Sequence, residues 1–366
     1  MRNLRKKKIM IKLIASDIDG TLVKEGSHEI SPEYFEVIEE LKKVGIRFCA
    51  CSGRQYASML DLFRPVADDI FFISGNGTVV RTKERLLHSW HLEQDIILPI
   101  IEAIRRIEGA SFVMETPGTC YTDAGDDSQL FLLMRDNYHY DIENVDDVTK
   151  LPFDKVTKFA IYHPTSIETS TEQIRKDPRF AHLSMTISGA WWLDITPREA
   201  GKGEAYALLQ EYLGIKKEET VYFGDNLNDL SAFKETGIAA TVANARQELK
   251  EAADLVERSY AKNGVLRELR NILGHARDYM AANSNERHRT SSRVHNETKK
   301  SRTAGMLYDS FSFNWLIGQI RFRLPLLSCR NRGRSPTSRR GPSASLRRKG
   351  MKLRSKNGSS PDRYPG

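Results

Sequence analysis

Short apolar runs alternate with amphipathic segments over the first eighty residues of the chain. MIKLIAS, IRFCACS and DDIFFIS are apolar enough to form buried strands, and the segments between them have the spacing of amphipathic helices. Ser31-Pro32 is typical of a helix N-terminus, and Gly45 is a typical residue just after a helix C-terminus. This β-α-β-α-β order predicts a parallel sheet covered by helices, which is a doubly wound α/β fold.

The same alternation returns later, after a stretch with a different pattern. The later block contains the strand candidates WWLDIT, TVYFGD and GIAATVA, an amphipathic helix from Lys202 to Leu213, and the closing helices ARQELKEAADLV and GVLRELRNIL. Between the two blocks, residues 81–189 combine a long helix with strands and loops, without βαβ alternation. We therefore predict a discontinuous core of residues 10–80 and 190–274, with an inserted α+β domain at residues 81–189.

Charge is distributed unevenly along the chain. The 366 residues contain 56 Lys+Arg and 48 Asp+Glu, but residues 281–366 hold 20 of these basic residues and only 4 of the acidic ones. Apolar periodicity is lost in the same segment, which predicts a basic, disordered tail. Because that tail has few aromatic residues and no known binding module, we expect no nucleic-acid partner except through its charge.

The N-terminal apolar run does not have the features of a signal peptide. Lys12 interrupts it, Asp17 ends it, and no small-residue cleavage site follows. No segment is an uninterrupted membrane span, and the four cysteines lack zinc-site spacing, as expected of buried thiols in a reducing compartment. We expect a cytoplasmic protein without a membrane partner, a monomer or weak homodimer, with Met10 as its natural start.

Polar clusters occur where predicted core strands end, and one more opens a helix. They are Asp17 and Asp19 after the first strand, Ser52-Gly53-Arg54 after the second, Asn76-Gly77 after the third, Gly224 to Asp229 after TVYF, and Gly201-Lys202-Gly203 at the helix start. Ligands of parallel sheets bind at the carboxyl ends of the strands. These clusters should therefore converge on one cleft.

The residue types in these clusters indicate phosphoryl transfer. Carboxylates without a Cys or His cluster suit a hard cation, above all Mg²⁺. Lys202, the Ser52 hydroxyl and glycine-rich turns suit phosphate oxygens. The sequence has no GxxxxGK[ST] motif, which argues against a P-loop kinase. A carboxylate can itself be the nucleophile and form an aspartyl phosphate, so one Asp of the DxD pair would attack phosphorus and the other would handle the proton.

Four motifs in this order, DIDGTLV, SGR, GKGEAYALL and GDNLND, resemble the haloacid dehalogenase superfamily, and the chain is similar to its Cof-type (type IIB) phosphatases over about residues 10–274. The resemblance implies a Rossmann-like core with an inserted α+β cap of the C2 type. It makes Asp17 the nucleophile and Asp19 the acid that protonates the leaving oxygen and then activates water. The groups that contact the phosphoryl group would be Lys202, which also steadies Asp17, together with Ser52, Gly53 and Asn228.

The same resemblance implies a magnesium site and a substrate class. Mg²⁺ would be held by Asp17, the backbone carbonyl of Asp19, and Asp225, while Asp229 would either bind the metal through water or orient Lys202. The cap follows the second motif, as in the type II branch. A cap of this size implies a small phosphorylated metabolite as substrate, such as a sugar phosphate or a phosphorylated cofactor.

Two other functions remain open at the level of sequence. One is a phosphomutase or phosphotransferase with the same nucleophile, although the short interval between the first two motifs disfavours the mutase branch whose cap lies there. The other is a non-catalytic binding protein that acts through the basic tail. For single residues, Arg54 could be a solvated helix residue, and Ser52 could cap the next helix.

Overall fold

Among the residues that the computed structural model describes, 9–165, 167–189 and 191–283, eight strands form the larger of two sheets. They are β1 (Leu13–Ser16), β2 (Arg47–Cys51), β3 (Phe71–Ser74), β4 (Val79–Arg81), β5 (Leu86–Ser89), β12 (Thr220–Gly224), β13 (Ile238–Val242) and β14 (Leu255–Glu257). Their order in space is β14-β13-β12-β1-β2-β3-β4-β5. The six strands from β14 to β3 in this order pair in parallel. β4 pairs antiparallel with β3, and β5 pairs antiparallel with β4. All four side chains of β1 are buried, as expected for a strand covered on both faces.

Helices pack on this sheet through their apolar faces. They are α1 (Pro32–Lys43), α2 (Tyr56–Leu62), α6 (Lys202–Leu213), α7 (Leu230–Lys234), α8 (Gln247–Ala252) and α9 (residues 264–283). In α1, Val37 and Leu41 lie one turn apart and are both buried in the core shared with the strands. Pro32 occupies the first turn of α1, as predicted, and Gly214 follows α6 with a positive φ that favours glycine. The α/β fold class predicted from the sequence is confirmed.

Six further strands form a second sheet, which is antiparallel except for one pair. They are β6 (Ser111–Glu115), β7 (Cys120–Thr122), β8 (Ile142–Asn144), β9 (Lys158–Tyr162), β10 (Leu183–Gly189) and β11 (Trp192–Pro197), in the order β10-β11-β9-β6-β7-β8. The helices of this region are α3 (Gln94–Arg105), α4 (Gln129–Leu132) and α5 (Ile167–Arg175). Residues Phe159 and Ile161 of β9 pack with α3 and α5 in one apolar cluster. Because side chains alternate along a strand, Lys158 and Ala160 lie on the opposite face.

Three segments differ from the sequence-based prediction. WWLDIT was grouped with the core strands, but β11 pairs with β9 and β10 of the second sheet, because a short alternating run fits either sheet. The predicted closing helix ARQELKEAADLV ends at Ala252, and Leu255–Glu257 forms the edge strand β14 instead. β5 lies beyond residue 80 yet belongs to the larger sheet. The sheets therefore do not divide at the predicted domain boundaries, and the division into core and cap stays a prediction.

The predicted disordered tail lies outside the described residues, except that residues 281–283 continue α9. The N-terminal residues 1–8 and Cys329 also lie outside them. In the part of the chain that the structure describes, no helix combines the length and the apolarity needed to cross a bilayer.

Candidate active site

Asp17 is the first residue after β1, and it lines a cavity that opens to solvent. Its backbone N–H donates to the carbonyl of Phe223 at 2.8 Å, which extends the β1–β12 ladder by one residue. Lys202 Nζ lies 2.6 Å from Asp17 Oδ1. The carboxylate is therefore held at a fixed place by the sheet on one side and by a buried cation on the other.

Lys202, the first residue of α6, is fully buried and links Asp17 to a second carboxylate. Its Nζ lies 2.7 Å from Asp229 Oδ1, which also accepts a hydrogen bond from the Tyr222 hydroxyl at 2.9 Å. The other oxygen of Asp229 accepts from the backbone N–H groups of residues 225 and 226, at 3.0 and 3.1 Å. Since each oxygen of Asp229 already accepts two hydrogen bonds, this carboxylate is arranged to orient Lys202.

Asp225 follows β12, and its carboxylate reaches the loop after β1. The Thr21 hydroxyl donates to Asp225 Oδ1 at 3.2 Å. Gly20 has a φ of +79°, and a Cβ atom there would lie 2.2 Å from Asp225 Oδ2, so only glycine permits this approach. One carboxylate oxygen from each of Asp17, Asp225 and Asp229 lies within 4.8 Å of the others. Three acids from two loops thus form one cluster.

The electrostatics of this cluster leave an excess of negative charge. Burial raises the pKa of Asp17 to about 7, and the neighbouring Asp229 carboxylate adds to the shift while Lys202 opposes it. Burial and the charge of Asp17 raise the pKa of Asp225 to about 8. Burial alone would lower the pKa of Lys202, but the two carboxylates beside it raise it overall. Asp17 and Asp225 therefore present carboxylate oxygens of the kind that a hard divalent cation binds, while Asp229 is occupied by Lys202.

Ser52 and Gly53 form the turn after β2, and both line the same cavity, as does Asn228. The Ser52 carbonyl accepts a hydrogen bond from the backbone N–H of Asn76 at 3.0 Å, which ties this turn to the turn after β3. Ser52 Oγ accepts from the backbone N–H of Arg54 at 3.2 Å. The hydroxyl therefore stabilises the turn itself, and α2 begins after it with Gln55 as its N-cap.

Asp19 forms an ion pair with Arg54. The sequence analysis left open whether Arg54 is a solvated helix residue. Arg54 Nε lies 2.8 Å from Asp19 Oδ2, and its NH2 group lies 2.6 Å from Oδ1. The same NH2 group donates to the carbonyl of Ser27, and the backbone N–H of Gly26 donates to Asp19 Oδ1 at 2.9 Å. The Arg54 side chain is 2% exposed. This bidentate pair holds the Asp19 carboxylate in one orientation at the rim of the cavity.

The eight predicted site residues come together. Those that line the cavity are Asp17, Asp19, Ser52, Gly53, Asp225 and Asn228. Lys202 and Asp229 lie behind Asp17, in contact with each other. The structure thus places all eight residues at the carboxyl edge of the larger sheet, while their catalytic roles stay predictions.

The sequence analysis placed Arg54 in one of the polar clusters but left its role open, and it missed two further residues of this region. Arg54 follows Ser52-Gly53 at a strand end, and that position was a usable signal for a role in the cleft. Lys158 and Asp194 also line the cavity, from the second sheet. Their signal was a single charged residue within an otherwise apolar strand, in KFAIY and in WLDITP.

Comparisons with known proteins agree with this fold. The sequence profile of the haloacid dehalogenase-like hydrolase family matches residues 14–269. A crystal structure of a protein from Eubacterium rectale is 36% identical, with a TM-score of 0.65, over 72% of this chain and 99% of that one. Phosphatase YwpJ of Bacillus subtilis (strain 168) is 25% identical over 72% of this chain and its full length. The 5-amino-6-(5-phospho-D-ribitylamino)uracil phosphatase YbjI of Escherichia coli (strain K12) is 24% identical, over 72% of this chain and 97% of its own.

The chain therefore belongs to the haloacid dehalogenase-like hydrolases, and the resemblance inferred from its motifs is confirmed. Within that family it is a phosphatase, as predicted.

Proposed function

We propose that this enzyme is a cytoplasmic, Mg²⁺-dependent phosphatase that hydrolyses small phosphorylated metabolites through a phosphoryl group held covalently on Asp17. The observation that carries the proposal is the buried Lys202 ammonium, 2.6 Å from Asp17 and 2.7 Å from Asp229, beside the carboxylate of Asp225. The free, buried thiols of Cys49, Cys51 and Cys120 are consistent with a reducing compartment.

In the first step, an oxygen of Asp17 forms a bond to phosphorus while the ester P–O bond breaks. Lys202 keeps Asp17 oriented and offsets its charge. The Ser52 hydroxyl, the Gly53 backbone N–H and the Asn228 side chain would donate hydrogen bonds to the phosphoryl oxygens, where charge is greatest in the transition state.

Asp19 would transfer the protons. It gives a proton to the leaving oxygen in the first step, and it takes a proton from water in the second, when water attacks phosphorus and the bond to Asp17 breaks. The bidentate contact with Arg54 suits the ionised form that acts as the base.

The acid cluster fits Mg²⁺ by its chemistry. Asp17 and Asp225 have raised pKa values because they lie buried near other carboxylates, and a divalent cation would stabilise their ionised forms. Mg²⁺ would be held by these two carboxylates and the backbone carbonyl of Asp19. When bound, it would offset the negative charge of the phosphoryl group and of the acids around it.

The cavity and the relatives both support a substrate class for the proposed enzyme. The second sheet contributes Ala160, Ser188 and Trp192 to the cavity lining, so it would act as the predicted cap that covers the leaving group. The E. coli relative is named for a phosphorylated ribityl-uracil, which is a small metabolite. We place the substrate of this chain in the same broad class of small phosphomonoesters.

The test is phosphate release by the full chain from a panel of phosphorylated sugars, nucleotides and cofactors. Wild type with Mg²⁺ is compared with Asp17→Asn and with wild type in a chelator. We expect release that both controls abolish. Transfer of phosphate to an added acceptor without net release would instead identify a phosphotransferase, and equal release by Asp17→Asn would overturn the proposal.

A further inference from the structure

Lys158 is a buried lysine of the second sheet that contacts the first. Its side chain is 2% exposed, and Nζ donates to the carbonyl of Gly53 at 3.0 Å. Two carboxylates flank the same ammonium group, Glu115 at 2.9 Å and Asp194 at 3.5 Å. Glu115 lies directly opposite Lys158 in the β6–β9 ladder, which places both on one face. The ammonium group therefore links β9 to the turn that carries Ser52.

Asp194 forms a second link, through an asparagine. The Asn76 side-chain N–H donates to Asp194 Oδ2, and Asn76 Oδ1 accepts from Asn228 Nδ2 at 2.8 Å. Asn76 itself has a φ of +58°, a backbone conformation that asparagine adopts more readily than most residues. This chain of contacts connects β11 to the loop after β12.

The Lys158–Gly53 link and the Asp194–Asn76 link contact each other at both ends. In the second sheet, Lys158 and Asp194 form an ion pair on neighbouring strands. In the first sheet, Asn76 packs directly on Gly53, since a Cβ atom on Gly53 would lie 3.0 Å from the Asn76 amide nitrogen. The turns after β2 and β3 are also joined by two backbone hydrogen bonds of 3.0 Å each. A single polar unit thus spans from the second sheet to Gly53 and Asn228.

Resting on the phosphatase function proposed above, we propose that Lys158 and Asp194 are positioning residues, which set the phosphoryl-binding groups of Gly53 and Asn228 when the second sheet lies over the site. Neither residue needs to touch the phosphoryl group. A polar link of this kind makes the phosphate site complete only while the sheets are in contact. Misplacing a phosphate donor by about 1 Å can lower the rate by as much as about 100-fold.

The experiment compares variants of the full chain, with p-nitrophenyl phosphate as substrate and inorganic phosphate as the binding probe, in Mg²⁺. Lys158→Met removes the first link. Asn76→Gly removes the second and keeps the positive φ accessible. Asp194→Asn retains an acceptor for Asn76, whereas Asp194→Ala does not. Thr122→Val is the matched control, because it removes a buried hydrogen bond to the Phe112 carbonyl within the second sheet alone.

We expect Lys158→Met, Asn76→Gly and Asp194→Ala each to lower kcat/KM by about 10- to 100-fold and to weaken phosphate binding. Asp194→Asn should recover most of the activity, and Thr122→Val should match wild type. The effect of Lys158→Met with Asn76→Gly should be smaller than the product of the two, because the links share one ion pair. If Lys158→Met fails to fold, the results for Asn76→Gly, Asp194→Asn and Asp194→Ala test the positioning role.

Wild-type kinetics and phosphate affinity in folded Asn76→Gly and Asp194→Ala would overturn the positioning role. Loss confined to a larger metabolite, with p-nitrophenyl phosphate cleaved normally, would also overturn it, because it would indicate contact with the leaving group. If wild type releases no phosphate from any substrate, the proposed function fails. Weaker phosphate binding by the variants would still support the links in that case.

Discussion

Asp229 and Asp225 are separated by four positions, yet their surroundings give them different tasks. Asp229 is completely buried, and its oxygens accept hydrogen bonds from Lys202, Tyr222 and two backbone N–H groups. Asp225 faces the cavity and accepts a hydrogen bond from Thr21. The sequence left two roles for Asp229, and these contacts support the one in which it orients Lys202.

This assignment predicts that two matched substitutions change different kinetic quantities. Asp229→Asn should lower kcat by about 10- to 100-fold with little change in the Mg²⁺ concentration needed for half-maximal activity, because it loosens Lys202. Asp225→Asn should raise that concentration by at least about 10-fold, because it removes a ligand. Magnesium titrations of phosphate release measure both quantities. A large loss of Mg²⁺ affinity in Asp229→Asn would mean that Asp229 is a ligand.

The raised pKa values of Asp17 and Asp225 predict how Mg²⁺ stabilisation depends on pH. The pKa values of Asp17 and Asp225 are about 7 and about 8, and both lie above the ordinary value of 3.8. From about pH 3.8 up to these raised values, the folded chain therefore binds more protons than the unfolded chain. Its free energy of unfolding therefore falls as pH rises through this range. Mg²⁺ binds the ionised carboxylates, so the rise in Tm on adding Mg²⁺ should be larger at about pH 8 than at about pH 5. An equal rise at both pH values, measured by thermal unfolding, would contradict this account.

At the scale of elements, the carboxyl ends of β1, β2 and β12 carry most of the site, and this could be predicted from the sequence. Parallel strands place their C-terminal loops along one edge, so three separated motifs had to converge once the βαβ order was recognised. The helix Lys202–Leu213 could be predicted to the residue, because its amphipathic spacing and Gly214 agree.

The second sheet was less predictable, for a physical reason. The alternation of apolar and polar residues in an antiparallel strand such as β11 is the same whether its partner strand is near or far in the sequence. The pattern of the strand alone therefore does not show which sheet it joins. The contacts of Lys158 and Asp194 with the loops of the first sheet depend on that pairing. The role of Arg54 stayed open because an arginine at a helix start is commonly solvated, and only the fold brings Asp19 within 2.8 Å of it.

The loop between β1 and α1 depends on Gly20, and a paired glycine supplies the control. Gly20→Ala should lower stability by more than the ~1–2 kcal/mol that a positive φ costs a non-glycine residue, and it should abolish most activity, because its Cβ would displace Asp225. Gly45→Ala has a similar φ of +81° with no atom within 4 Å of its Cβ. Gly45→Ala should lower the free energy of unfolding only by the cost of the positive φ, and it should keep full activity. Urea unfolding and phosphate release measure these two quantities. Equal activity in the two variants would contradict the role of Gly20.

At the scale of the whole molecule, the match to the hydrolase family ends at residue 269, and the strongly basic segment lies after it. The two regions also differ in charge, since residues 281–366 hold 20 Lys+Arg against 4 Asp+Glu. Catalysis as proposed uses no residue beyond Asp229. The non-catalytic alternative, in contrast, depends wholly on the basic segment.

Removal of residues 284–366 separates these two accounts. The shortened chain should keep the kcat and KM of the full chain, because all proposed site residues remain. Any binding to nucleic acid should weaken with salt and vanish in the shortened chain, since it would depend on the basic side chains. A shortened chain that folds but loses phosphatase activity would show that the segment contributes to the site.

The proposed mechanism requires that Asp17 becomes covalently phosphorylated. The most direct measurement is acid quenching of wild type during turnover of p-nitrophenyl phosphate with Mg²⁺, followed by mass-spectrometric location of the phosphoryl group, with Asp17→Asn as the control. We predict one phosphoryl group on the peptide that contains Asp17 and none in the variant. Phosphate release by a protein that carries no phosphoryl group on Asp17 at any quench time, together with full activity of Asp17→Asn, would contradict the account.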